Sequence, residues 1–141
     1  MRRTGPMLGP ILALGVALAG ALAMASASWA GHGAEPSAAV IRSDYLKRLV
    51  DMREPMSLVD LRTPAEYRAG HLPGAINVPI TEVDTRYREI SGNVRVVLYC
   101  DCPLQDSITV YAFLHTKGYR NHSVLEDGFQ GWVKQRFPLV R

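Results

Sequence analysis

Short apolar runs and amphipathic stretches take turns along the chain from residue 43 onward. In "SDYLKRLVD" (43–51), Tyr45, Leu46, Leu49 and Val50 recur at helical spacing, with Ser43 read as the N-cap. "SLVDLR" (57–62) is apolar at its centre and too brief for a helix, which predicts a buried strand. "TPAEYRAG" (63–70) predicts a helix capped by Thr63, with Pro64 in its first turn and Gly70 as its stop. The following "HLPGAINVPI" (71–80) reads as turn-rich and extended. "TEVDTRYREI" (81–90) predicts a further helix, its acidic start and basic later half matching the helix dipole. "RVVLYC" (95–100) is the most strand-like segment of the chain. "SITVYAFLHTKG" (107–118) predicts a helix capped by Asp106 or Ser107 and closed by Gly118. "HSVLE" (122–126) reads as a third strand and "GFQGWVKQ" (128–135) as a last helix. Alternation of strands and helices with short connections predicts an α/β fold, a parallel sheet flanked by helices on both faces.

The first thirty residues break this pattern. Arg2 and Arg3 precede an uncharged apolar run over 7–24, followed by the small residues Ala25, Ala27, Ser28 and Ala30. These are the three parts of a secretory signal peptide, with cleavage expected after Ala27 or Ala30. The alternative is an uncleaved anchor, since the run approaches the roughly 20 residues that cross a bilayer. Residues 31–39, small and polar, read as a flexible lead-in to a single domain over 40–141. The expectation is an exported protein, periplasmic or secreted, that meets a membrane only if the leader stays.

Removing the leader also changes the charge balance. Of 16 basic and 13 acidic residues, Arg2 and Arg3 belong to the leader, leaving 14 against 13. The alkaline pI of about 9.1 therefore does not point to a nucleic-acid partner, and no Lys/Arg stripe supports one.

The chain's two cysteines stand in "YCDCPLQDS" (99–107), where the strongest strand gives way to a helix. Sites in open α/β sheets lie at the carboxyl ends of strands. Converging backbone N–H groups and the helix dipole at such a junction favour a thiolate over a thiol, whose pKa starts near ~8.5. They also favour an anion carried on that sulfur. Cys100, ending the strand, is the natural nucleophile. Two sulfurs one residue apart supply only half a metal site, and His32, His71, His115 and His122 show no ligand spacing with them. No metal or other cofactor is expected.

Three separated stretches resemble the single-domain rhodanese-like family. "LVDLRTPAEYRAGHLPGAINVP" (58–79) is similar to its Asp-x-Arg, Glu-Tyr and Gly-His-Leu-Pro-Gly-Ala-x-Asn pattern. Ser107, Ala112, Leu114, Gly118 and Tyr119 match the helix that follows its catalytic loop. "LEDGFQGW" (125–132) resembles its Leu-x-Gly-Gly-x-x-x-Trp ending, with Asp127 in place of the first glycine. The resemblance implies that Cys100 accepts a sulfane sulfur as a persulfide and passes it to a nucleophile, and that Asp60 and Arg62 support the site. Partners would be a sulfur donor and a thiol acceptor, small molecule or protein.

The loop formed by Asp101, Cys102, Pro103, Leu104, Gln105, Asp106 and Ser107 departs from the family's common Cys-x-x-Gly-x-Arg-Ser. Ser107 comes one residue late, the glycine is missing, and Gln105 and Asp106 stand where an arginine would hold an anion. Pro103 removes one N–H donor. Two acids and no cation disfavour thiosulfate, a dianion. A phosphatase would need Cys-x5-Arg, and Asp106 occupies that arginine position. Cys102 is read as a possible resolving thiol, able to attack a persulfide on Cys100. Three functions stay open: a sulfurtransferase working through Cys100, a thiol–disulfide redox protein using Cys100 and Cys102, and a binding module that kept the fold without turnover.

Overall fold

The computed structural model describes residues 38–141; the leader over 1–30 and residues 31–37 of the lead-in lie outside the described residues. The apolar run at its centre forms β4 (Arg95–Tyr99), the middle strand of a five-stranded sheet. The other strands are β1 (Val40–Ile41), β2 (Met56–Asp60), β3 (Ile76–Asn77) and β5 (His122–Leu125), ordered β1-β5-β4-β2-β3 with every pair parallel. Helices α1 (Ser43–Asp51), α2 (Pro64–Ala69), α3 (Val83–Arg86), α4 (Leu104–Thr116) and α5 (Gly128–Lys134) connect and cover them.

Side chains alternate across a strand, and that alternation divides the core in two. Val96, Leu98 and Cys100 join Val59, Leu61 and Val124 in a layer closed by Val83 of α3 and Val110, Tyr111 and Leu114 of α4. Val97 and Tyr99 turn the other way, toward Leu58, Leu125, Leu46 of α1 and Trp132 of α5. A parallel sheet with both faces covered is the predicted architecture.

Several local expectations need correction. The segment 81–90 is not one helix: α3 is a single turn with 3-10 turns at Ile80–Glu82 and Tyr87–Glu89. The Tyr119 hydroxyl lies 2.8 Å from the carbonyls of both Tyr87 and Ile90 and ties the end of this segment to the chain beyond α4. Helix α4 starts at Leu104, not at Ser107, because Pro103 is its N-cap and Asp106 N–H already bonds the Pro103 carbonyl at 2.9 Å. Neither Asp106 nor Ser107 caps it. Edge strand β1 stands at the start of the domain, in residues given no element from the sequence, and β3 lies within the segment read as turn-rich and extended. The Ala39 carbonyl also accepts from Val124 N–H at 2.8 Å.

The start of α1 differs too. Arg42 occupies the cap position without a side-chain hydrogen bond, and Ser43 is the first helical residue. The cap comes from the far end of the chain: Asp127 Oδ1 accepts from Ser43 N–H at 3.0 Å and from Ser43 Oγ–H at 2.9 Å. By contrast, Thr63 caps α2 as expected, with Pro64 in its first turn, and Glu66 completes a capping box with it. Ser43 is fully buried, so removing the carboxylate strands two donors away from water. Asp127→Ala is expected to lower unfolding stability by about 1–2 kcal/mol, with Asp127→Asn retaining part of it. Urea denaturation of the three proteins checks this; equal midpoints would show that the cap is dispensable.

Candidate active site

The parity of β4 sends Cys100 into the α4 layer at the carboxyl end of the sheet, where it is 6% exposed. Its carbonyl oxygen accepts the backbone N–H of Phe129, in the first turn of α5, at 2.8 Å. This close approach depends on Gly128. Its φ of +56° lies in the left-handed region, and a Cβ there would sit 2.6 Å from the same carbonyl oxygen.

Cys102 is half-buried and disulfide-bonded to Cys100, their Cα atoms 5.3 Å apart. Pro103, with φ of −51°, sets the entry into α4. Leu104, Gln105 and Asp106 form the first helical turn; Leu104 packs on the α4-side core, while Gln105 and Asp106 are exposed. Ser107 is buried, its Oγ 3.7 Å from Cys102 Sγ. Asp101 is exposed and accepts from Gln130 Nε2 of α5 at 2.6 Å. The loop is therefore shorter than the sequence suggests: residues 100–103 bridge strand and helix, and 104–107 belong to the helix.

Beside this loop, the end of β2 carries a buried ion pair. Asp60 is fully buried and lies opposite Tyr99 in the sheet register. Arg62 grips it twice, Nη2 to Oδ2 at 2.6 Å and Nε to Oδ1 at 3.0 Å, while the Arg62 backbone N–H adds a bond to Oδ1 at 2.9 Å. The guanidinium also donates to the Gly70 carbonyl at 2.8 Å and stacks 3.5 Å from the Phe129 ring centroid. Burial pulls the Arg62 pKa down, but the hydrogen bonds and charge of Asp60 outweigh it and hold the group above its ordinary value. Burial first, and then the Asp60 charge, push the Tyr99 phenol upward, so it stays neutral. Its hydroxyl oxygen accepts from Leu72 N–H at 3.2 Å.

Two depressions flank the loop. One, of about 280 Å³, is bounded by Arg62, Glu66, Asp101, Phe129, Val133 and Leu139. The other, of about 290 Å³, is an apolar groove between Ile80, Val83, Val110 and Phe113 with Asp84 and Asp106 at its sides. Each has a loop carboxylate on its wall, and Arg62 is already committed to Asp60.

The structure brings together Cys100, Cys102 and every loop residue named from the sequence, with Asp60 and Arg62 on the adjoining strand. Sequence reasoning missed the contribution of α5: Gly128 and Phe129 hold the Cys100 carbonyl and Gln130 holds Asp101. A glycine directly after an acid at a strand–helix junction was the available signal.

The rhodanese-like domain model matches residues 43–135. A sulfurtransferase of Allochromatium vinosum is 33% identical over 100 residues, covering 71% of this chain and 92% of that protein. An HTH-type transcriptional regulator of Mycobacterium tuberculosis is 45% identical over 67 residues, but these are 46% of this chain and 28% of that protein. The match thus spans most of one relative and under a third of the other. In three dimensions, a rhodanese-related protein of Thermoplasma volcanium superposes with a TM-score of 0.64 at 24% identity, covering 72% of this chain and 97% of that one.

The ion pair gives a direct test of how this end of the sheet is held. Arg62→Met leaves Asp60 buried without its partner and is expected to destabilise the protein by about 3–5 kcal/mol. Chemical denaturation measures this. A loss under about 1 kcal/mol would mean that water replaces the guanidinium without penalty.

Proposed function

The chain belongs to the rhodanese-like domain family, and from that premise we propose that it takes up sulfane sulfur as a persulfide on Cys100 and hands it to a thiol acceptor. Sulfur transfer is the chemistry that its sulfurtransferase relative supports at the level of the family. One observation carries the assignment to Cys100: it directly follows β4 at the carboxyl end of the sheet and opens the short connection, 100–103, that leads into α4. Unpaired N–H groups at a helix start favour negative charge, whether on a thiolate or on a terminal persulfide sulfur.

The charges around the loop argue for the class of donor. Asp101 and Asp106 are exposed on the loop, and the guanidinium of Arg62, past the end of the adjoining β2, is buried against Asp60. A thiosulfate dianion finds repulsion there and no free cation. A hydropersulfide or a protein-bound persulfide avoids that penalty. We also take the chain to be exported, on the three-part pattern of its leader.

A second reading, thiol–disulfide exchange, is favoured by the bond between Cys100 and Cys102. A binding module without turnover is the third, and the same measurement separates them. The reduced protein is exposed to a polysulfide and its intact mass read beside Cys100→Ser and Cys102→Ser. The expected result is a gain of one sulfur that is retained on Cys102→Ser, is absent from Cys100→Ser and is removed by cyanide. A loss of two hydrogens requiring both cysteines, with no sulfur gained in any variant, would favour pure redox exchange. No change under either treatment would leave a binding module.

The donor argument makes a separate prediction. Asp106→Arg exchanges a repulsive charge for a charge-assisted hydrogen-bond donor, worth about 1.5 kcal/mol or more. Thiosulfate turnover per unit KM should rise at least roughly tenfold. An unchanged value would mean that Asp106 does not face the donor.

A further inference from the structure

The geometry points to a second activity at this site: a sulfane-sulfur reductase, in which Cys102 resolves the Cys100 persulfide and releases sulfide. It rests on the reading of Cys100 as the persulfide carrier and goes beyond it in naming what becomes of the sulfur. A persulfide has two electrophilic positions. Attack by an acceptor on the outer sulfur transfers that atom; attack by a thiolate on the inner sulfur, Cys100 Sγ, expels it as hydrosulfide.

The second route needs an attacker already placed on Cys100 Sγ. Cys102 meets that requirement: the fold accommodates the Sγ–Sγ bond with Cα atoms 5.3 Å apart, well inside the usual disulfide range. Both ends of the loop are held. The Cys100 carbonyl is bonded to Phe129 N–H, and α4 begins two residues beyond Cys102. The two sulfurs therefore meet intramolecularly rather than by encounter. Ser107, buried one helical turn into α4, presents its Oγ 3.7 Å from Cys102 Sγ. A hydroxyl there can donate to the Cys102 thiolate as it forms, which makes Ser107 a positioning residue for the attack.

Access favours the same route. Cys100 is 6% exposed, and the two depressions beside the loop carry Asp101 and Asp106 respectively. An external anionic acceptor meets a carboxylate in either one, whereas Cys102 is already joined to Cys100. The chain carries no other cysteine to compete for the role.

The steps balance. In the first, the Cys100 thiolate attacks the outer sulfur of a hydropersulfide RSSH; its S–S bond breaks, the thiolate RS⁻ leaves, and Cys100 carries –S–SH. In the second, the Cys102 thiolate attacks Cys100 Sγ, the persulfide S–S bond breaks, HS⁻ leaves, and the Cys100–Cys102 disulfide forms. A dithiol reductant R′(SH)₂ then reduces that disulfide by exchange and becomes R′S₂. The sum is RSSH + R′(SH)₂ → RSH + H₂S + R′S₂. Sulfane sulfur is reduced to sulfide and the dithiol is oxidised.

The test uses the reduced chain with one equivalent of glutathione persulfide, sulfide measured by trapping and the protein by intact mass. Wild type should release one sulfide per chain and lose two hydrogens, then turn over continuously once dithiothreitol is supplied. Cys102→Ser should keep one added sulfur and release sulfide at least about a hundredfold more slowly, the intramolecular advantage being gone. Cys102→Ala should behave likewise, and circular dichroism confirms that both variants fold. Ser107→Ala should slow sulfide release more than it slows sulfur loading, with the pH profile of release moved upward as the Cys102 thiolate loses a donor. Wild type that holds a stable persulfide and releases no sulfide overturns the reductase while leaving the carrier standing. A glutathione adduct in place of one sulfur on Cys102→Ser overturns both, since Cys100 would then attack the inner sulfur of the donor. No sulfur on any variant likewise removes the carrier reading and the reductase with it.

Discussion

A carboxylate taken wholly out of water has to be answered by a matched cation, and the pairing of Asp60 with Arg62 is that answer at the carboxyl end of the sheet. Its reach exceeds the two residues. Arg62 extends to the Gly70 carbonyl at the end of α2 and lies under the Phe129 ring of α5. Asn77 of β3 donates through Nδ2 to the carbonyls of Asp60 and Arg62, at 3.0 and 2.9 Å. Strand β2, both ends of neighbouring connections and the last helix are thereby fixed to one another, and β4 delivers its cysteine beside them. A buried pair of this kind adds little net stability over apolar packing, but it is unforgiving of misplacement. It defines where the pieces around the loop must sit.

Helix α5 transmits that definition to Cys100. Phe129 covers the guanidinium with its ring and holds the Cys100 carbonyl with its backbone N–H. The same short helix reaches back through Asp127 to the first turn of α1 and forward through Gln130 to Asp101. These seven residues and their N-cap Asp127 thus touch the start of the domain, the ion pair and the loop.

What the sequence made legible was local. Strands β2 and β4 announce themselves as apolar runs because the sheet is buried on both faces, while β5 shows the pattern less cleanly, with His122 and Ser123 buried at its start. The capping box of Thr63 and Glu66 is equally readable, its partners being three residues apart. The cap supplied by Asp127 to Ser43 spans 84 residues of chain, and no nearby spacing betrays it. Two-residue edge strands such as β1 and β3 carry too little pattern to separate them from turns. The broken helix over 81–90 shows the opposite failure: its charges suit a helix, but only Val83–Arg86 is α-helical, and its end is tied by the Tyr119 hydroxyl to the chain after α4. At the candidate site, Cys100 and its loop followed from position on the strand, while Gly128, Phe129 and Gln130 gain their place only through tertiary packing.

The alternation along β4 has a consequence for how the chain tolerates changes in length. Cys100 faces α4 because it is an even step from Val96 and Leu98, and its neighbours Val97 and Tyr99 face Trp132. Inserting or deleting one residue within the strand would rotate every later side chain to the opposite layer. The sulfur would then enter the packed space beside Trp132 and Leu46, and Tyr99 would take its place beneath α4. A two-residue change preserves the parity but slides the cysteine past the Phe129 amide that holds its carbonyl. Changes of length therefore belong in the connections, and the stretch from Arg95 to Cys100 behaves as a fixed ruler.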